Sequence, residues 1–181
     1  MNASMNEPQS LPVAVTATHA SPKWWFWELP FVVLLLLTDR ISKSWALNSL
    51  PTGVTRPFLP GFLSLHLTTN TGAAFSIFTD QRLFLSIVSS IVLCIMVIGR
   101  SWLTSDNILL RSAWSFIFGG ALGNLWDRLL SGFVVDFFVF DFVVFPVFNV
   151  ADIAISCGGV LYLGFVLFSE YTLRRVNNGE R

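Results

Sequence analysis

The sequence predicts an all-α membrane protein, with four transmembrane helices and a small outward-facing β-rich platform and loop. Three observations predict it. Hydrophobic residues fill 54% of the 181 positions and charged residues only 12%, about half the charge of a soluble domain, and the mean hydropathy is +0.66. The apolar residues gather into four segments, each near the ~20 residues that a helix needs to cross a bilayer. Two connections between these segments are rich in β-branched and aromatic residues, a composition that suits short strands.

Residues 1–22 are polar and mixed, and neither the basic start nor the apolar stretch of a cleavable signal peptide precedes Lys23. They are read as a flexible tail. The first apolar segment, from about Trp24 to Leu50, opens with WWFW, where tryptophans fit an interfacial belt, and continues as FVVLLLL. The connection that follows opens with PTGVTRPFLPG, whose Pro60-Gly61 marks a turn. Next, Leu63, Leu65 and Leu67 alternate with Ser64, His66 and Thr68, the period of a half-buried strand. The second segment is RLFLSIVSSIVLCIMVIGR, at about 82–100, and the third runs from about Ile108 to Leu130. The fourth, at about 153–171, is IAISCGGVLYLGFVLFSEY, and residues 172–181 form a C-terminal tail. Cys94 and Cys157 sit inside apolar segments with no CxxC or histidine-rich context, so they read as buried small hydrophobes.

The net charge is formally zero, so no basic footprint points to nucleic acid. The basic residues divide by side: Lys23, Arg100, Arg111, Arg174, Arg175 and Arg181 against Arg56 and Arg82. That asymmetry places both termini in the cytoplasm and both long connections outside, with Arg40, Lys43 and Arg128 taken as intramembrane or boundary residues.

Ionisable groups in membrane segments are costly and mark function. Asp39, Arg40 and Lys43 lie toward the outer end of the first segment. In the third, Gly120, Asn124, Asp127 and Arg128 are spaced i, i+4, i+7 and i+8 and share one helical stripe, with Gly119 and Gly123 leaving room for close packing. The alternative for this stripe is a packing motif with an internal Asp127–Arg128 pair. Asn70 opens the small-residue stretch NTGAAFS, which also reads as a turn entering a helix.

The stretch VVDFFVFDFVVFPVFNVAD, residues 134–152, holds three aspartates and no lysine, arginine or histidine. Asp136 and Asp152 are 16 residues apart, a separation that lets a loop bring them together. Two carboxylates sharing an apolar site do not both ionise easily, so one stays protonated while the other acts as a base toward water. Asp141 is the third. On a continuous strand it faces away from Asp136, toward water. HExxH and phosphate-binding loops are absent, and a serine–histidine site would have to use His66 with Ser64 or Ser76. From the residues alone, a proton-coupled transporter and a non-catalytic assembly factor remain open beside a peptidase.

Five stretches in order, TDRISK (38–43), NTGAAFS (70–76), GGALGNLWDR (119–128), VVDF (134–137) and FNVADIAI (148–155), resemble the bacterial lipoprotein signal peptidases, or signal peptidase II. The resemblance spans about residues 30–170. It implies a four-helix membrane peptidase domain over 23–171, an aspartyl endopeptidase that uses neither metal nor cofactor. Its substrate would be a prolipoprotein, cut just before a cysteine that already carries diacylglyceryl. It implies a monomer in the bacterial inner membrane, surrounded by lipid and with its active site toward the outer face. Asp136 and Asp152 match the catalytic pair. Asn70, Gly120, Asn124, Arg128, Asn149 and Ala151 match residues that line the site or orient substrate, and Asp39, Lys43 and Asp127 match a supporting polar cluster. Arg40 stands where a neutral glutamine is common, and the loop between VVDF and FNVAD is short and aromatic.

Overall fold

The computed structural model describes residues 25–72, 78–104 and 107–179. The tail at 1–22, Lys23, residues 73–76 of NTGAAFS and Arg181 lie outside the described residues. Helix α1 spans Trp25–Ser49, strands β1 and β2 span Thr55–Leu59 and Leu63–Asn70, and α2 spans Arg82–Ile98. A short α3, Arg100–Thr104, precedes α4 at Ile108–Leu130, β3 at Val134–Phe140 and α5 at Val150–Asn177. The last helix therefore continues past residue 171, where the sequence reading ends it.

Helix α4 is the hub and packs against α1, α2, α3 and α5. Its start is capped by Asn107, whose side chain accepts the Leu109 and Leu110 amides. Its end is capped by Arg82 at the start of α2, which donates to the Arg128 and Leu129 carbonyls at 2.7 and 2.6 Å, a cation placed at the negative end of a helix. Glycines bring the helices close. A Cβ on Gly120 would fall 2.4 Å from the Ala151 carbonyl oxygen, and one on Gly158 would fall 2.6 Å from Ile117. These two α4–α5 crossings leave no room for a side chain.

Large apolar side chains such as Leu34, Ile95, Val160 and Phe168 point outward, a surface far more apolar than water-facing proteins carry. Among the described residues, α4 and α5 are long and apolar enough to cross a membrane. The apolar α2 is shorter, at 17 residues, and the 25-residue α1 carries Glu28, Asp39, Arg40 and Lys43. Cys94 and Cys157 are exposed on the bundle's flank. The expectation of buried thiols fails because an apolar segment does not reveal which of its faces turns inward.

The expected platform is a three-stranded antiparallel sheet in the order β1-β2-β3. Gly61, at φ 76°, makes the β1–β2 turn after Pro60. One face of the sheet sits on the end of α1, where Leu65, Leu67, Val135 and Phe137 pack on Ala46 and Leu50. The other face carries Asp136. Alternation along β3 thus separates the core from the site. After β3, the chain leaves as an aromatic loop and returns to Phe138 at Phe148, which exchanges two backbone hydrogen bonds with it.

Candidate active site

Asp136 and Asp152 reach the same place from different elements. Asp136 is on β3, opposite Thr68 and diagonal to Asn70 on β2, so the Asn70 amide donates to Asp136 Oδ2 at 3.1 Å. Asp152 lies in the first turn of α5. Its backbone N–H donates to the Asn149 side-chain oxygen at 3.0 Å, and its Oδ2 accepts the Asn149 backbone N–H at 3.1 Å. This reciprocal pair is a capping box, and it fixes the Asp152 rotamer by the same bonds that start the helix.

Asn149 then ties the two carboxylates together. It is fully buried, and its Nδ2 donates to Asp136 Oδ1 at 2.6 Å and to Asn124 Oδ1 at 3.3 Å. Asn124, from α4, donates in turn to Asp152 Oδ1 at 2.8 Å. An N-x-x-D run at a helix start is the sequence signature of this box, and it would have revealed how Asn149 acts.

Asp136 is 2% exposed. Burial pushes its carboxyl up to about 6, and neighbouring Asp152 adds to the push. Hydrogen bonds from Asn70 and Asn149 and the charge of Lys43 oppose the rise. Both aspartates border a cavity of about 510 Å³ with Asn70, Asn124 and Arg128 on its polar side and Phe140, Phe145, Phe148 and Ile153 on its apolar side. A second cavity of about 260 Å³, lined by Thr68, Thr69, Thr71 and Thr79, shares Asn70 and Asp136 with the first.

The stripe on α4 divides. Asp127 turns to α1, where its Oδ1 pairs with Arg40 at 2.9 Å and its Oδ2 meets the Lys43 ammonium at 2.8 Å, as an ion contact without hydrogen-bond alignment. Lys43 also contacts Asp39 at 2.8 Å and donates to Asn124 Oδ1 at 3.0 Å. Asp39 accepts the Ala151 backbone N–H at 3.0 Å, so α5's first turn is tied to α1. Arg128 turns the other way and donates to the Gly72 carbonyl at 3.0 Å; its buried Nε has no partner among the described residues. The alternative Asp127–Arg128 pair is not formed, because consecutive helix residues diverge around the axis. Gly120 lies against Ala151 and Ile155. Asp141 is exposed, and its backbone N–H donates to the Phe62 carbonyl. His66 contacts Thr55 across the sheet, at 2.9 Å.

A second buried charge cluster, absent from the sequence reading, occupies the other end of α1 and α4. Glu28 takes hydrogen bonds from both Arg100 and Arg111, and those cations stand over Trp114 and Trp27 respectively.

The family model described as "Signal peptidase (SPase) II" matches residues 31–168. A lipoprotein signal peptidase of Streptococcus pneumoniae is 38% identical over 143 residues, covering 77% of this chain and 91% of that protein. One from Clostridium tetani is 35% identical over 143 residues, covering 77% and 92%. A solved structure described as a bacterial membrane enzyme, determined by the in meso method at 2.3 Å, superposes with a TM-score of 0.73 at 30% identity. It covers 79% of this chain and 88% of its own.

Proposed function

The chain belongs to the signal peptidase II family, and from that premise we propose that it is a membrane aspartyl endopeptidase acting on diacylglyceryl-modified prolipoproteins. It cleaves before the lipidated cysteine. The observation that carries the reading is the single buried amide of Asn149, which touches Asp136 directly and Asp152 through the capping box. Two carboxylates held in common over a cavity that is apolar on one side and polar on the other suit a lipid-bearing peptide and a water molecule.

Asp152 serves as the base. Its two oxygens are oriented by the Asn124 side chain and by the Asn149 backbone N–H, and it takes a proton from the attacking water. Asp136, pushed up to about 6 by burial, acts in its protonated form and polarises the scissile carbonyl. As the tetrahedral intermediate collapses, Asp152 gives the proton it took from water to the departing amine nitrogen and Asp136 retains its own, so the pair returns to its starting state. Arg128 offers its Nε to a substrate carbonyl, and the threonine-lined cavity admits water. The acyl chains lie along the apolar wall and open toward the bilayer between helices. In this reading α1, α2, α4 and α5 are the four spans of a monomer, both termini are cytoplasmic, and the sheet rests on the outer membrane surface. That orientation is supported by Arg100 and Arg111 lying at the end of the bundle opposite the dyad.

The test is cleavage of a diacylglyceryl prolipoprotein by purified Asp136→Asn and Asp152→Asn. Each is expected to lose about 10²- to 10⁴-fold in rate, the range for a positioned acid or base. Asp141→Asn is expected to cleave normally. Full activity in either of the first two, or a dead Asp141→Asn, refutes the dyad.

A further inference from the structure

We propose that Lys43 is a positioning residue: its ammonium fixes the Asn124 amide and, through it, the Asp152 carboxylate in the orientation that hydrolysis needs. This rests on the dyad reading above and goes further, because it gives the buried lysine a directional role in place of a merely supporting one.

An ammonium only donates, a carboxylate only accepts, and a side-chain amide does one at each end. Lys43 is 1% exposed, and its donation to Asn124 Oδ1 obliges that oxygen to face α1. Nδ2 is then left to face Asp152 Oδ1. Asn149 is polarised in the same sense. Its oxygen is taken by the Asp152 N–H, so its Nδ2 bridges Asn124 Oδ1 and Asp136 Oδ1. With the Asn124 amide reversed, its NH2 would oppose both the ammonium and the Asn149 amide, and its oxygen would oppose the Asp152 carboxylate. Asp39 and Asp127 hold the ammonium in place from two sides, and Arg40 balances the second carboxylate. The cluster sums to zero charge, two carboxylates against two cations. The charged groups facing Asp136 are Asp152 from α5, Arg128 from α4 and Lys43 from α1, while Asn70 and Asn149 are neutral.

The experiment measures kcat, KM and the pH profile of reconstituted Lys43→Met, with Arg40→Gln and Asp152→Asn alongside the natural enzyme. Lys43→Met is expected to lose about 10²-fold in kcat, the cost of a small misplacement at a reacting group, with KM changed by no more than about threefold. Its alkaline limb should move up, because the cluster left behind is net negative. Arg40→Gln touches neither amide and is expected to keep kcat within about threefold. A Lys43→Met enzyme with unchanged kcat overturns the inference, as does an Arg40→Gln enzyme that loses as much. An active Asp152→Asn instead overturns the dyad reading itself.

Should Lys43→Met not fold, Lys43→Gln removes the charge but keeps an N–H donor to face Asn124 Oδ1. It is expected to keep kcat within about tenfold of the natural enzyme. A hundredfold loss overturns the inference.

Discussion

Asp136→Asn is expected to slow cleavage by about 10²- to 10⁴-fold and yet stabilise the folded protein at alkaline pH. Burial carries this carboxyl from 3.8 to about 6, roughly two units, and each unit is worth about 1.4 kcal/mol. Its folded value lies above its unfolded one, so the stability it contributes is fully present below about pH 4. That stability is lost as the pH rises through about 6, and holding the anion then costs roughly 3 kcal/mol. An asparagine carries no such cost. Against this gain, Asn70 and Asn149 both aim N–H donors at position 136, and an amide accepts only one of them. The unmatched donor costs about 1–2 kcal/mol. The variant should therefore be more stable by about 1–2 kcal/mol at pH 8 and less stable by a similar amount at pH 4. Tryptophan fluorescence during unfolding in lipid-containing micelles, run at both pH values, reads the difference. A gap that does not change with pH, or an asparagine variant that is the weaker protein at pH 8, refutes the reasoning.

Three other substitutions probe the scaffold. Gly120→Ala puts a methyl 2.4 Å from the Ala151 carbonyl oxygen. It should cost about 1–3 kcal/mol as α4 and α5 are forced apart, lowering the melting temperature and the cleavage rate together. Gly159→Ala has nothing within 4 Å and should be neutral or stabilising by up to about 1 kcal/mol. Glu28→Gln leaves Arg100 and Arg111 facing a neutral amide, which should cost about 3–5 kcal/mol. Because that cluster lies at the far end of the bundle, kcat of the folded fraction should be unchanged when melting and cleavage are measured on one preparation.

Local pattern carried much of the fold and the centre of the site. The leucine alternation at 63–67 became β2, and Pro60-Gly61 became its turn. Asp136 and Asp152 border one cavity, as their spacing and aromatic setting anticipated. What stayed hidden depends on which faces meet. Asp127 and Arg128 are neighbours in the chain, yet they serve different partners, because only the packing of α1 against α4 decides that Lys43 and Arg40 lie opposite Asp127. Glu28 is 72 and 83 residues from the arginines that bind it. A count of loop charges registers those arginines only as signs of orientation. The outward turn of Cys94 and Cys157 is of the same kind, since in a lipid-facing bundle both faces of an apolar helix look alike.

The backbone exchange between Phe138 and Phe148 has an evolutionary consequence. It closes the aromatic loop at its neck, so everything between those residues is an excursion whose ends are clamped before the chain reaches Asn149. Loop length and sequence can then drift, or be grafted from another source, without dislodging either acid. The cavity wall that Phe145, Pro146 and Val147 supply can thus be reshaped from one lineage to the next while Asp136 and Asp152 stay where the neck holds them.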